Sequence, residues 1–240
     1  MNTPFLFCRD SFQQAWIDVV QFLQENHWEW WNIIVQITDP TLFDQDFTNK
    51  INFFKIEKEL VSPKDVAYTI FPHKLYKGRG TAKQLYDKYI NRMYPYTRKC
   101  PRSGWGTYFY RMVHFETENG PVNQLDNIIN AINTRKKKYR AAYTIIIEKT
   151  GLETIRPLGA PCLNYIAVQV SATGSISLLC IYRNHDFLER AYGNYWGLSN
   201  LLRFLASETG LQPGYLTCIS SHAYVSNHKR DLKKLLEECI

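Results

Sequence analysis

Residues 176–194 read ISLLCIYRNHDFLERAYGN, an apolar run that breaks at Arg183 into a cluster of polar and charged groups. A short continuous apolar stretch of this kind predicts a strand buried in a sheet, here from Ile176 to Arg183. Two further strand-like runs precede it, Ala141 to Ile147 and Leu163 to Val170, and another follows, Leu216 to Val225. Trp196 to Thr209 reads as a helix ended by Gly210, and Lys229 to Cys239 as a closing helix. The sheet is therefore expected mainly in the second half of the chain.

Upstream, Asp10-Ser11 can cap a helix opening at Phe12, whose apolar residues Ala15, Trp16, Val19, Val20, Phe22 and Leu23 fall at helical spacing through about Gln24. Ile33 to Ile37 reads as a buried strand stopped by Asp39-Pro40. Residues 41–62 are mixed and give no element. A helix is expected from Thr81 to about Met93 after the loop Lys77-Gly78-Arg79-Gly80, and Lys99 to Gly106 reads as a surface loop. Pro121 to Ile132 is a second amphipathic helix, with Leu125, Ile128, Ile129 and Ile132 on one side. No repeat, low-complexity tract or linker is evident, so one α+β domain over residues 1–240 is the economical expectation.

With 240 residues, 45% of them apolar and 15% aromatic, the chain can bury a sizeable core, which excludes general disorder. A net charge of +7 favours polyanions or small phosphorylated ligands without choosing between them. The six cysteines (Cys8, Cys100, Cys162, Cys180, Cys218, Cys239) form no CxxC pair, so zinc and disulfide frameworks are poorly supported. No basic region leads into a long apolar run at the N-terminus, and Trp30 to Ile37 is far short of a membrane span. A cytoplasmic protein with reduced thiols and no membrane partner is expected.

The second half carries the chemistry. Pro161-Cys162 stands before an apolar strand; Arg183 and Asp186 lie in YRNHD, Asn194 in AYGN, and His222 and Tyr224 in SHAY. Thiol, guanidinium, carboxylate, carboxamide, imidazole and phenol thus each fall near a predicted strand end or loop, where sites are usually built. Taken singly, each has a bland reading: Cys162 as a small buried hydrophobe, Arg183 and Asp186 as a surface ion pair, Asn194 as turn chemistry, and His222 and Tyr224 as core caps.

Order and spacing favour the sharper reading. Pro161-Cys162, Arg183-x-x-Asp186, Asn194 eight residues beyond that Asp, and His222-x-Tyr224 resemble the signature of the thymidylate synthase superfamily. The resemblance is clear from about Asn123 to His228 and weaker before it. Leu163 stands where the family typically has His, Asn184 where it prefers Ser, and Ser220-Ser221 where it has Gly-Asp.

The resemblance implies a three-layer α+β fold with one large mixed sheet packed by helices, and a homodimer with shared active sites. It implies Cys162 as the nucleophile on C6 of a pyrimidine nucleotide monophosphate, with Arg183 and Asn184 at the 5′-phosphate and Arg140 reaching the partner's phosphate site. A thiolate needs a nearby cation, which Arg183 can supply. Asn194 can donate to O4 and accept from N3–H, the pattern of uracil rather than cytosine. His222 and Tyr224 would meet the sugar, and Asp186 the O2 side of the base.

The implied donor is 5,10-methylenetetrahydrofolate, with Trp105 and Tyr110 of the segment Trp105 to Arg111 beside it. No counterpart of the family's folate-side glutamate is recognised; Glu57 and Glu59 do not align. The implied reaction is one-carbon transfer to C5 of a uridine nucleotide, giving a methyl or hydroxymethyl product. Two rival readings follow from the same residues: a nucleotide-binding homologue serving as sensor or regulatory partner, and a nucleic-acid-acting protein using the basic run Arg135 to Arg140. The last would need a groove far larger than a mononucleotide pocket, so nucleic acid is the least expected partner.

Overall fold

The computed structural model describes residues 3–76, 81–99, 105–135, 138–149, 151, 153, 155 and 159–238. The loop 77–80 and most of the loop 99–106 lie outside them, as do Lys136 and Lys137.

The sheet is mixed. Strands β1 (Phe5–Arg9), β2 (Glu29–Ile37), β5 (Tyr143–Ile146), β6 (Leu163–Val170), β7 (Ser175–Tyr182) and β9 (Gln212–Tyr224) lie in the order β1-β2-β9-β7-β6-β5, and the short β8 (His185–Asp186) pairs with β9. The β1/β2, β7/β9 and β8/β9 pairs are parallel, and the others antiparallel. A small hairpin, β3 (Phe115–Thr117) and β4 (Gly120–Val122), stands apart from it. Ile145, Ile166, Cys180, Cys218, Val35 and Phe7 are register partners in a row across six strands, and all are buried.

That face is covered by helices. α1 (Phe12–Glu25) contacts β1 and β2, and α8 (Tyr192–Thr209) contacts β7 and β9. Ser11 caps α1 by accepting from the Gln14 amide (3.2 Å), and Gly210, at φ +64°, ends α8 in the left-handed conformation that glycine adopts without steric cost. α6 (Tyr108–Val113) and α7 (Gln124–Thr134) extend this cover to β5, and a third layer lies outside: α3 (Pro63–Ile70) on α8, α9 (Lys229–Glu237) on α1, and α2 (Gln45–Glu57) on α3. The helix expected from Thr81 is α4 (Ala82–Lys88), which continues through a π-helical turn (Tyr89–Met93) into the short α5 (Tyr94–Thr97). The family-like three-layer α+β arrangement, a large mixed sheet packed by helices, is observed.

Three helices, α2, α3 and α6, appear where no element was assigned or expected. α2 is capped by Asp44, and Phe47, Ile51 and Phe54 form its buried face. Its apolar pattern is blurred because Phe53 and Ile56 are exposed while Lys55 is buried. α3 starts at Pro63 behind the cap Ser62, and it packs directly on α8. The contact is set by Gly193 and Gly197: a Cβ on Gly193 would lie 2.6 Å from Pro63 O, and one on Gly197 2.8 Å from Ala67 O. α8 therefore begins before the expected Trp196, and Asn194 stands in its first turn rather than in a loop. A π-helical turn, Phe187–Ala191, leads into it. Among the described residues no helix is long and apolar enough to cross a membrane.

Candidate active site

Strand directions bring the singled-out residues to one end of the sheet. Cys162 precedes β6 and Arg183 follows the antiparallel β7, so the Arg183 amide donates to the Cys162 carbonyl at 2.9 Å. β9 runs parallel to β7 and ends at Tyr224; β8 pairs beside that end, matching Asp186 with Tyr224 and His185 with Ala223. The start of α8 adds Asn194. A cavity of about 580 Å³ opens there, lined among others by Cys162, Asn184, His185, Asp186, Asn194 and Tyr224.

Burial pushes the Cys162 thiol up, against the charge and hydrogen bond of Arg183 and the charge of Arg190. The Arg183 guanidinium is thus in contact with the sulfur. The phenol oxygen of Tyr108 accepts from the backbone amides of Cys162 (3.3 Å) and Leu163 (3.5 Å), fixing the start of β6. Burial raises this phenol to about 12, so it stays protonated.

Asp186 Oδ1 accepts from the Leu188 and Glu189 amides, both at 2.9 Å, capping the π-helical turn. Beneath the turn, the buried Lys55 ammonium donates to the Glu189 carbonyl (2.8 Å), although burial and Arg190 lower its pKa to about 7. The turn thereby presents Glu189 and Arg190 to the cavity. Asn194 Nδ2 lies 3.0 Å from His185 Nε2, and His185 Nδ1 lies 2.9 Å from Ser220 Oγ.

Other singled-out residues are placed differently. His222 is not among the lining residues: its Nδ1 meets Asn184 Oδ1 at 2.6 Å, its Nε2 meets Glu29 at 2.8 Å, and its ring stacks on Tyr224. Trp105 lines the cavity and is held by Arg111, which donates to its carbonyl, lies 5.2 Å from its ring, and forms a buried bidentate pair with Glu153. Burial works against the Glu153 carboxylate, yet hydrogen bonds from Arg111 and the Lys149 amide hold it below its ordinary range. Tyr110 instead stacks on Tyr94 at 3.5 Å and is not among the lining residues. Glu57 and Glu59 are likewise absent from the lining, whereas α3 contributes Asp65, Tyr68 and Thr69.

Arg140 is exposed at the far end of the sheet, where its carbonyl accepts from the Val170 amide. β6, eight residues long, separates it from Cys162 by about 25 Å at the usual strand rise.

Sequence reasoning passed over Tyr108, His185, Glu189, Arg190 and the three α3 residues. His185 was visible only as a variable position inside Arg-x-x-Asp. Arg190 depends on a π-helical turn, which leaves no periodic trace in sequence.

The family model described as Thymidylate synthase matches residues 17–239. Curated relatives named "Putative thymidylate synthase" include one from Methanosarcina barkeri, 29% identical over 114 residues, covering 48% of this chain and 51% of that protein. Another, from Methanococcoides burtonii, is 26% identical over 132 residues, covering 55% of this chain and 58% of its own length. A third, from Methanothermobacter marburgensis, is 29% identical over 110 residues, covering 45% and 48%. The chain spans about half the length of the curated relatives it matches.

Proposed function

The chain belongs to the thymidylate synthase family, and on that premise we propose that it transfers a one-carbon unit to C5 of a uridine nucleotide, dUMP above all. The observation that carries this reading is the convergence of Cys162, Asn184, Asn194 and Tyr224 on one cavity, with Arg183 on the Cys162 sulfur.

The thiol proton leaves to a carboxylate of the wall, where Asp65, Asp186 and Glu189 stand. The sulfur then bonds to C6 of the pyrimidine, and the C5–C6 π pair shifts toward O4, making C5 nucleophilic. An N–H of Asn194 stabilises the charge developing on O4. Nucleotide phosphate binding by Arg183 and Asn184, and by Arg140 from a second subunit, supplies orientation. His222 acts on the sugar side through Asn184 and Tyr224, which it holds in place.

The cavity also suits a flat heterocycle with amino and ring N–H groups. Trp105 offers a ring face fixed by Arg111, and Asp65 and Asp186 offer acceptors. These residues would hold methylenetetrahydrofolate, which supplies the carbon when bound. Tyr110, stacked on Tyr94, would support that wall from behind.

Tritium release from 5-tritiated dUMP, with and without methylenetetrahydrofolate, tests the reading. Folate-dependent release is expected; tight binding without release would establish the nucleotide-sensor role instead. Cys162→Ala is expected to abolish covalent capture of 5-fluoro-dUMP while the protein stays folded. An adduct mapped by mass spectrometry to another cysteine would overturn the mechanism.

A further inference from the structure

Within this pocket, one buried group has no part in the steps above. His185 is 1% exposed, and its ring is gripped on three sides: stacked on Tyr182 (4.0 Å between centroids, 1° between planes), with Phe187 at 5.2 Å and Tyr195 edge-on at 5.8 Å. So enclosed, the ring cannot turn over without displacing three aromatic neighbours. Its two nitrogens face different partners, Ser220 Oγ at Nδ1 and Asn194 Nδ2 at Nε2.

An amide nitrogen only donates, so Nε2 must accept and the ring proton must sit on Nδ1, donated to Ser220 Oγ. Burial, which pushes the His185 pKa down to about 3, keeps the ring neutral and this arrangement available across the working range. One N–H of the Asn194 amide is thereby used. The amide's oxygen and its second N–H remain, side by side, for a ligand.

We propose that His185 is a positioning residue for base choice: its Nε2 fixes the Asn194 amide so that the remaining N–H and Oδ1 match the O4 and N3–H of uracil. Rotating the amide by half a turn would match the N4 amino group and N3 of cytosine instead. That rotation would set Oδ1 against the Nε2 lone pair, acceptor facing acceptor, inside a dry site. Ser220 completes the relay by offering its hydroxyl oxygen as the acceptor for the Nδ1 proton. The inference rests on the reading of the cavity as a pyrimidine nucleotide site and adds the group that makes Asn194 selective.

The test combines titration calorimetry of dUMP and dCMP with the two-bond ¹H–¹⁵N spectrum of histidine-labelled protein. In the wild type the His185 ring should show protonated Nδ1 and unprotonated Nε2, and dUMP should bind more tightly than dCMP. His185→Phe keeps a ring but removes the acceptor, and should lower the dUMP-to-dCMP preference by about tenfold or more. His185→Gln, which can place an acceptor oxygen near Asn194, should restore part of it. Ser220→Ala should mix the two ring tautomers and erode the preference in the same direction, by less.

An Nε2-protonated ring in the wild type overturns the proposal, as does a folded His185→Phe with unchanged preference while the wild type still favours dUMP. Should His185→Phe not fold, Ser220→Ala decides: mixed ring tautomers together with an unchanged preference overturn it. A wild type that binds neither nucleotide, or both equally, defeats the reading of the pocket itself, and the proposal falls with it.

Discussion

Ile145, Ile166, Cys180, Cys218, Val35 and Phe7 cross six strands on one face of the sheet and are buried under the helix layer of α1, α6, α7 and α8. One residue along, Ile146, Tyr165, Ile181, Ile219, Ile34 and Leu6 cross the same strands on the other face. None of these six is buried, and Leu6 is 62% exposed. Both rows are apolar, so side-chain chemistry does not separate them; among the described residues only one has a covering layer. Burying an aliphatic or aromatic side chain is worth about 1.5–3 kcal/mol, so an uncovered row of six is a strong drive toward association. A second copy of the chain, its sheet laid against this one, would cover the row by isologous contact, as the proposed homodimer requires.

Adjacent residues break the comparison most sharply. Cys218→Asp puts a carboxylate into the closed row, where no cation or water meets it. An unpaired buried charge costs several kcal/mol, comparable with the 5–15 kcal/mol that typically stabilises a whole domain. No cooperative thermal transition is expected, and a well-folded Cys218→Asp protein would show that the closed face is not a core. Ile219→Asp puts the same charge one residue further, on the open face. It should leave a folded chain of half the wild-type mass by light scattering. Unfolding as complete as that of Cys218→Asp would erase the distinction between the faces, and a monomeric wild type would leave the open row without its partner.

The same contrast explains what could be read in advance. Strands such as Ser175–Tyr182 are legible because their apolar run, Leu178 to Tyr182, occupies both faces, and the site residues because they sit where the strands end. α2 and α3 were hidden for physical reasons: α2 exposes Phe53 and buries Lys55, which scrambles its stripe, while α3 is only eight residues long. Gly193 looked like turn chemistry beside Asn194, but its lack of a Cβ lets α3 approach within contact of α8. The site residues passed over are those that depend on such tertiary events. Asp65 enters with α3, Arg190 with the π-helical turn that Lys55 supports, and His185 through contacts with Ser220 and Asn194 that lie nine or more residues apart in sequence.

The smallest effect joins the two faces to the chemistry. Arg140 lies at the sheet end opposite Cys162, about a strand's length away, so within one subunit it cannot reach its own cavity. The shared-site proposal has it reach the other subunit's cavity across a dimer formed by the open faces. Charge-assisted contacts to phosphate are typically worth about 1.5–3 kcal/mol each, so Arg183→Ala and Arg140→Ala should each weaken dUMP binding by roughly ten- to a hundredfold. The two losses differ in place, because each variant spoils a site through a different subunit. Mixing them after subunit exchange should yield heterodimers in which one of the two sites keeps both arginines, and tritium release from dUMP should reappear. Near-wild-type behaviour of Arg140→Ala would assign that residue to a solvated basic loop. A mixture no more active than its parents, with exchange confirmed by mass spectrometry, would mean that the open faces meet without sharing a site.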